Sequence, residues 1–425
     1  MRLETAEIAN GVRCTEVCDS KLRGCLLSLH FALRRDENTA PVHALLTDLL
    51  TGSSADYPAP GALSAQLDSL YAADFPGSLH LCGDAADLYF SASWLDDAYA
   101  MNGESVTEEM LSLVLGCLLR PHAANGAFDA ERFRICRQNL LDDIDAAVND
   151  KRAFALRRAT EIAFAGEPAA IPPQGNRPAA EAVTAADCFR IWQEVLCTAP
   201  VDLIAVLPAE KPLLRERLTA AFSGIPRAPQ SVSFSAPSPL RQTVQTVTEE
   251  MDMTQSRLIL TYQYDRAGRD VMTLLCRMLS GTGDSLLFAN VREQLGLCYD
   301  CTASFSAAKQ VLMIECGVRP GTEQAAEAAI RAQITALQTG DYPPGLPGAC
   351  KLYEEFSAAA ALDSAGGIAK AVSASHRAGI PYDPAAWLGR LRAVTDEQLR
   401  AAANRLRLSA VYRLCGTEEG GQDAE

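Results

Sequence analysis

Alternating apolar residues predict two β-strands at corresponding places in the chain. Apolar side chains recur at every second position over residues 27–33 and again over 258–262, which is the period of a strand. A helix with an apolar stripe follows each strand and ends at a glycine, Gly52 in the first case and Gly281 in the second. Thr39 offers an N-cap for the first of these helices. The pattern therefore predicts the same pair of strand and helix twice.

The order of predicted elements continues alike after both pairs. Sliding the chain by 229 positions lays Leu29 on Leu258 and Gly52 on Gly281. The second helices are predicted over 61–73 and 285–294, the hairpin turns at 83–86 and 307–309, the long helices over 107–119, 129–164 (with a break near 149–152), 322–337 and 346–378, and the closing strands over 201–207 and 410–414. Consecutive strands and blocks of helices predict an α+β fold of two homologous repeats, each a mostly antiparallel sheet packed against helices.

The chain length and one polar segment predict two domains. A chain of 425 residues is longer than a single hydrophobic core usually serves. Residues 223–242 are rich in proline and serine and have little periodicity, which is typical of a linker. We therefore predict an N-terminal domain over residues 1–222, a linker over 223–242 and a C-terminal domain over 243–425.

Charge and apolar content limit the partners and the location. The formal net charge is −15 and no basic patch occurs, which excludes a nucleic-acid partner. No run approaches the roughly 20 apolar residues of a membrane-spanning helix, and residues 1–13 are too polar for a secretory signal. Most of the fourteen cysteines lie in apolar runs. Together these features predict reduced thiols and a cytoplasmic protein.

Two pairs of cysteines have the short spacing of half a zinc site. Cys14 and Cys18 form one pair, and Cys298 and Cys301 form the other. A structural zinc site of this kind needs a second pair at a finger-like distance, and neither pair has one. We therefore expect no structural zinc.

The helix after the first predicted strand reads His43-Ala44-Leu45-Leu46-Thr47. With the duplicated α+β unit, this position resembles the insulinase-like (pitrilysin-type) zinc peptidases, in which the corresponding helix carries His-x-x-Glu-His. Two histidines four residues apart can bind one zinc ion, and the glutamate takes a proton from its bound water. Only His43 agrees, because Leu46 cannot accept a proton and Thr47 is a poor zinc ligand. The resemblance therefore implies no metal in this chain, and we expect His43 to be a helix-surface histidine.

The other metal-binding positions implied by the resemblance are also altered. The matching positions of the second half hold Met272, Leu275 and Cys276, so neither repeat has the motif. Asp142 and Asp143 match the segment that carries the family's third ligand, a carboxylate, but they have no metal to complete. We expect them to form a solvated acidic face on a long helix.

The strongest motif lies in the second half. A turn with Gly281, Gly283 and Ser285 precedes a helix with Arg292, and Tyr299 follows seven positions later. This segment is similar to one in the insulinase-like peptidases, whose Arg and Tyr help to hold the substrate and the oxyanion of the tetrahedral intermediate. The resemblance implies these roles for Arg292 and Tyr299, and substrate contact for the turn. A guanidinium and a phenol hydroxyl are donors that suit a developing negative oxygen. The alternative is a surface arginine and a half-buried tyrosine without a function.

The altered metal motif and the matching Arg and Tyr imply that the functional residues are shared between two subunits. Some bacterial members of the family work as pairs, in which a zinc-free subunit supplies these two residues to a metal-bearing one. We therefore expect a non-catalytic subunit, without peptidase activity of its own, that acts on peptides with a metal-bearing paralogue. Zinc is expected in the partner and no cofactor in this chain, and a homodimer stays open as the other assembly.

Two further functions remain as alternatives. One is a non-enzymatic peptide-binding or scaffold protein on the same fold, as in the core subunits of respiratory complexes. The other is an independent metal enzyme with unfamiliar ligands such as His43, Asp48 and Asp142. The second is disfavoured because residues 43 and 48 are five apart and share a helix face poorly.

Overall fold

A computed structural model describes residues 1–417, and these residues form two compact units. The first unit consists of Met1–Asp145, Ile171–Phe234 and Ala360–Tyr382, and the second of Ala146–Ala170, Ser235–Ala359 and the described residues from Asp383 onward. The domain bounds predicted from composition stay a prediction. None of the described helices is both long and apolar enough to cross a lipid bilayer.

Helices and strands account for most of the described chain. The strands are β1 Arg2–Ala9, β2 Val12–Cys18, β3 Gly24–Arg34, β4 Gly77–Cys82, β5 Ala85–Leu95, β6 Ala123–Ala124, β7 Ala127–Phe128, β8 Val201–Leu207, β9 Gln245–Met251, β10 Ser256–Gln263, β11 Cys298–Ser306, β12 Val311–Val318 and β13 Arg407–Gly416. The α-helices are α1 Ala40–Gly52, α2 Ala62–Ser69, α3 Val106–Leu119, α4 Ala130–Ala146, α5 Lys151–Ala163, α6 Arg177–Ala182, α7 Ala185–Thr198, α8 Pro212–Ser223, α9 Arg269–Leu279, α10 Glu323–Thr339, α11 Leu346–Ala361, α12 Ala365–Arg377, α13 Pro384–Ala393 and α14 Asp396–Ala403. A π-helical segment covers Leu287–Gln294.

Six strands form the main sheet of the first unit, in the order β1-β2-β8-β3-β5-β4. β2 and β8 run parallel, and the other neighbours in this sheet are antiparallel. The alternating side chains of β3 that the sequence pattern indicated, such as Leu29 and Phe31, lie in one core with Leu45 of α1 and Trp192 of α7.

The opposite face of this sheet is also covered. Leu26 of β3 and Val206 of β8 lie in a separate apolar cluster with Ile368 and Val372 of α12. β3 is therefore buried on both faces, and for this reason its burial is nearly continuous along the strand.

Five strands form the sheet of the second unit, in the order β11-β12-β10-β13-β9. β13 and β9 run parallel, and the other neighbours are antiparallel. Residues of α9, α10 and α14 share one core with this sheet. On the other face, Ala155 and Ala159 of α5 cluster with Ile259 and Tyr412.

The two sheets have the same strand order. The order β2-β8-β3-β5-β4 in the first matches β9-β13-β10-β12-β11 in the second, and β1 is an addition to the first sheet. Each sheet is mostly antiparallel and packs against helices. The predicted α+β fold class is therefore confirmed.

Two of the long predicted helices are divided. The break predicted near residues 149–152 separates α4 from α5, where Asp150 accepts a hydrogen bond from the amide of Ala153 at 2.9 Å. The prediction of one helix over 346–378 is wrong, because α11 ends at Ala361 and Ser364 caps α12 by accepting from the amide of Gly367 at 3.0 Å. An N-cap side chain satisfies an amide that a helix start leaves unpaired, so each cap begins a new helix.

Candidate functional site

Helix α1 places the altered zinc motif in the core of the first unit. Leu46 is fully buried in the main apolar cluster and offers no proton acceptor. The hydroxyl of Thr47 donates to the backbone carbonyl of Ala44 at 2.6 Å and is therefore used within the helix. A catalytic zinc needs three protein ligands and a base beside its bound water. The residues on α1 do not fit that requirement.

His43 is buried, with only 6% of its surface exposed, so the expectation of a helix-surface histidine is wrong. The reason is that α1 packs against β4, β5 and α7, which cover more than one stripe of the helix. Burial lowers the pKa of His43 to about 4, although the charge of Asp36 acts in the opposite direction. His43 is therefore a neutral core residue at pH 7.

The corresponding positions of α9 also belong to a core. Met272 and Leu275 are fully buried. The thiol of Cys276 donates to the backbone carbonyl of Ala303 at 3.0 Å. Burial raises the pKa of Cys276 to about 11, so this thiol stays protonated at neutral pH.

The acidic residues of α4 do not complete a metal site. Asp142 and Asp143 are exposed, and Asp142 accepts a hydrogen bond from Nε2 of Gln138 at 2.7 Å. Among residues 1–417, three or more potential metal ligands converge at one place only, and that group does not include His43, Asp48 or Asp142. The ligand set of the independent metal enzyme is therefore not assembled in this structure.

The turn after α9 has a backbone that favours glycine. Gly281 has a φ of +106°, and a Cβ there would come within 2.2 Å of Nη1 of Arg277. Gly283 is exposed, and a Cβ there would meet no atom within 4 Å. Ser285 is buried, and its hydroxyl donates to the carbonyl of Thr282 at 2.7 Å. Gly283 is thus accessible from solvent, whereas Ser285 holds the turn together.

Arg292 lies in the π-helical segment that follows this turn. Such segments are rare in proteins, and those that occur are often at functional sites. The guanidinium lies over the ring of Phe288, 4.8 Å from the centroid, and Nε is 3.6 Å from Oε1 of Glu293. Nearly half of the Arg292 side chain is exposed, so a second molecule can reach it.

Tyr299 lies on β11, the edge strand of the second sheet, and is 63% exposed. The pairing of β11 with β12 shifts by one residue between Cys298 and Asp300, so Tyr299 is the extra residue of a β-bulge. A bulge leaves its extra residue outside the ladder and re-aims the side chain. Arg292 and Tyr299 are thus both exposed in the second unit, while the roles predicted for them stay predictions.

Three cysteines converge at the same bulge. The Sγ atoms of Cys298, Cys301 and Cys316 all lie within 4.8 Å of one another. The thiols of Cys301 and Cys316, and then the charge of Arg292, hold the pKa of Cys298 below its usual range. The sequence pattern indicated Cys298 and Cys301 but not Cys316. The third cysteine joins them because it lies opposite Cys301 on β12, and no spacing along the chain reveals that register.

The duplicated sheet and the altered zinc motif are similar to the architecture of a metallopeptidase in which the usual metal ligands are missing. A family model described as the peptidase M16 inactive domain matches residues 214–345. A relative named "Probable inactive metalloprotease YmfF", from Bacillus subtilis (strain 168), is 22% identical over 390 residues, which cover 91% of this chain and 91% of the relative.

Solved structures share the fold over the whole length. A conserved protein from Enterococcus faecalis V583 has 23% identity and a TM-score of 0.89, and the similarity covers 100% of both chains. The peptidase M16 inactive domain from Pseudomonas fluorescens has 17% identity and a TM-score of 0.82, covering 99% of this chain and 100% of that one. The resemblance to the insulinase-like family is therefore confirmed, since the chain is similar to the peptidase M16 inactive domain over residues 214–345 and to a probable inactive metalloprotease over most of its length.

Proposed function

We propose that this chain is the non-catalytic subunit of a heterodimeric insulinase-type zinc peptidase. In this proposal, Arg292 and Tyr299 bind the substrate and the oxyanion at the zinc site of a metal-bearing paralogue. The observation that carries the proposal is a contrast in burial. His43 and Leu46 on α1 are buried in the core, whereas Arg292 and Tyr299 are polar and exposed.

The local geometry supports contact with a second molecule. Arg292 keeps a permanent charge and several N–H donors, and its guanidinium is engaged only weakly, by an aromatic ring and by a carboxylate at 3.6 Å. Tyr299 offers a hydroxyl donor from a bulge on an edge strand. Donors already in place where negative charge develops stabilise a transition state without further reorganisation.

The glycine turn supports the peptide part of the proposal. Gly281 and Gly283 carry no side chain, and Gly283 is exposed with open space beside its Cα atom, so a peptide backbone can approach closely. Ser285 would act indirectly, by holding the turn through its bond to Thr282. We also propose a cytoplasmic location, which the many buried cysteine side chains support.

The first experiment is recovery of the tagged chain from its own host, with mass spectrometry and zinc analysis of the eluate. We expect an M16 relative with an intact His-x-x-Glu-His to elute in equal amount, with about one zinc ion per pair. Elution alone or as a homodimer without zinc would contradict the heterodimer. That result would favour a peptide-binding or scaffold protein on the same fold.

The second experiment tests the two side chains in the reconstituted pair. Loss of one oxyanion donor typically reduces kcat about 10²–10³-fold, and we expect a decrease of this order for Arg292→Ala. Arg134→Ala is the matched control, because Arg134 is 63% exposed and its ion pair is within its own helix, with Glu131. Tyr299→Phe removes only the hydroxyl and has Tyr353→Phe as its control. Unchanged kcat in both site variants would refute the assigned roles.

A further inference from the structure

The bulge at Tyr299 brings two cysteines of one strand to the same face. Side chains three positions apart on a regular strand point to opposite faces of the sheet. Here Cys298 lies opposite Val318 and Cys301 lies opposite Cys316, because one extra residue is inserted between them. Positions 316 and 318 share a face of β12, so Cys298, Cys301 and Cys316 all lie on one face of the sheet.

The sulfur atoms are close enough to share one metal ion. A metal–thiolate bond of about 2.3 Å places three sulfur ligands about 4 Å from one another around a common ion. The three Sγ atoms lie within 4.8 Å of one another, so a shift of a few tenths of an ångström per sulfur atom closes the site. Cys298 and Cys316 are buried and Cys301 is half-buried, which leaves an approach on the side of Cys301.

We propose that Cys298, Cys301 and Cys316 form a binding site for one soft metal ion, of the Cu(I) or Zn(II) kind, in the second unit. Thiolate ligands select such ions over hard cations that prefer oxygen. Among the described residues, the group contains no fourth histidine, cysteine or carboxylate. Cu(I) is satisfied by three sulfur atoms, whereas Zn(II) needs a fourth ligand from solvent or from a peptide. This group is separate from the altered zinc motif of α1, whose residues do not fit a catalytic zinc.

The surroundings suit a site with net negative charge. Three thiolates around a monovalent or divalent ion carry an excess of negative charge, and the positive charge of Arg292 acts on Cys298. Asp300 places a negative charge near Cys301, but it is paired with Arg257 at 3.0 Å. Cys298 and Cys316 belong to the apolar core cluster of the second unit together with Val291 and Leu287. A bound ion would link β11 to β12 at the bulge that presents Tyr299.

The test uses the full chain alone, fully reduced and without oxygen, titrated with Cu(I) or with Zn(II) against a chelator of known affinity. The wild type is expected to bind one equivalent of metal. Each of Cys298→Ser, Cys301→Ser and Cys316→Ser is expected to weaken this binding by more than about 100-fold, which exceeds the usual effect of changing a residue that touches only a ligand. Cys350→Ser is the control, because Cys350 is also a fully buried free thiol of the second unit but lies outside the group.

Two further measurements decide the outcome if a variant folds poorly. X-ray absorption spectroscopy at the metal edge should find three sulfur ligands at a metal–sulfur distance of about 2.3 Å. Bound metal should also protect these three thiols, and not Cys276, from alkylation in the wild type. Wild-type affinity in the half-buried Cys301→Ser variant would overturn the proposal. The proposal would also be overturned if the group forms a disulfide and the protein binds no metal after that disulfide is reduced. Since no partner enters these measurements, their failure is separate from failure of the heterodimer.

Discussion

Helix α1 of the first unit and the segment over residues 285–299 of the second unit differ in what explains their side chains. At α1, packing accounts for two of the motif positions, because Leu46 is a core residue and His43 is a buried neutral imidazole. In the second segment, packing does not account for Arg292 and Tyr299, whose side chains are exposed. They lie instead on a π-helix and a β-bulge, both of which interrupt the regular hydrogen-bond pattern of the backbone. Residues that break local rules without a packing benefit mark the place to look for function.

The largest effect is expected from restoring the missing base on α1. Leu46→Glu would bury a carboxylate in an apolar cluster without a partner, and we expect it to lower the free energy of unfolding by at least about 4 kcal/mol. Leu46→Met is the matched control and should cost less than about 1.5 kcal/mol. Denaturant unfolding of both variants gives the comparison. A stable Leu46→Glu protein that binds zinc would show that α1 is still a metal-site helix.

The second effect concerns the pH dependence of the folding stability that burial of His43 causes. Its folded-state pKa of about 4 lies below the ordinary histidine pKa of 6.5, so the unfolded chain binds more protons between these two pH values. Stability is therefore lost as the pH falls from 6.5 towards 4. We expect the folded state to be about 2 kcal/mol less stable at pH 5 than at pH 7 through this residue. Unfolding at both pH values should show that His43→Gln removes this difference, and an equal difference in both proteins would refute the burial argument.

The sequence indicated the central strands β3 and β10 and the hairpins that end in the edge strands β4 and β11, but it missed β1, β2 and β9. β3 and β10 were indicated because buried strands carry dense apolar residues. β1 and β9 were not indicated, since both lie at sheet edges and are largely exposed, so no apolar alternation marks them. Their positions follow from pairing with β2 and β13, which is long-range information.

The candidate site was predictable in its residue types but not in its geometry. Arg292 and Tyr299 were found by resemblance, and Leu46 and Thr47 by their departure from a motif. The bulge at Tyr299 depends on the register of β11 against β12, which local sequence does not determine. The convergence of Cys316 has the same origin and was missed for that reason.

A smaller effect is expected from the turn before the π-helix. Gly281→Ala places a side chain at a φ of +106° and close to Arg277, so we expect a loss of about 1–2 kcal/mol in unfolding free energy. Gly283→Ala is the control on the same turn and should change stability by less than about 0.5 kcal/mol, because its Cβ meets no neighbour. Equal losses in the two variants would show that neither the positive φ of Gly281 nor its closeness to Arg277 explains the loss of stability.

The smallest effect on stability is expected where the effect on partner-dependent activity is expected to be large. Arg292 contributes one exposed contact with an aromatic ring, worth about 0.5–1 kcal/mol, and a long ion pair worth little. Tyr299→Phe removes a hydroxyl from a side chain that is 63% exposed. We therefore expect Arg292→Ala to cost at most about 1 kcal/mol and Tyr299→Phe less than about 0.5 kcal/mol.

Thermal and denaturant unfolding of the chain alone measures both values. A loss above about 2 kcal/mol in either variant would mean that the residue is needed for folding. The contrast with α1 would then disappear, because packing would explain both regions. Small losses together with reduced activity in the reconstituted pair would instead separate the two regions fully: α1 would be retained for its core, and the 285–299 segment for contacts with another molecule.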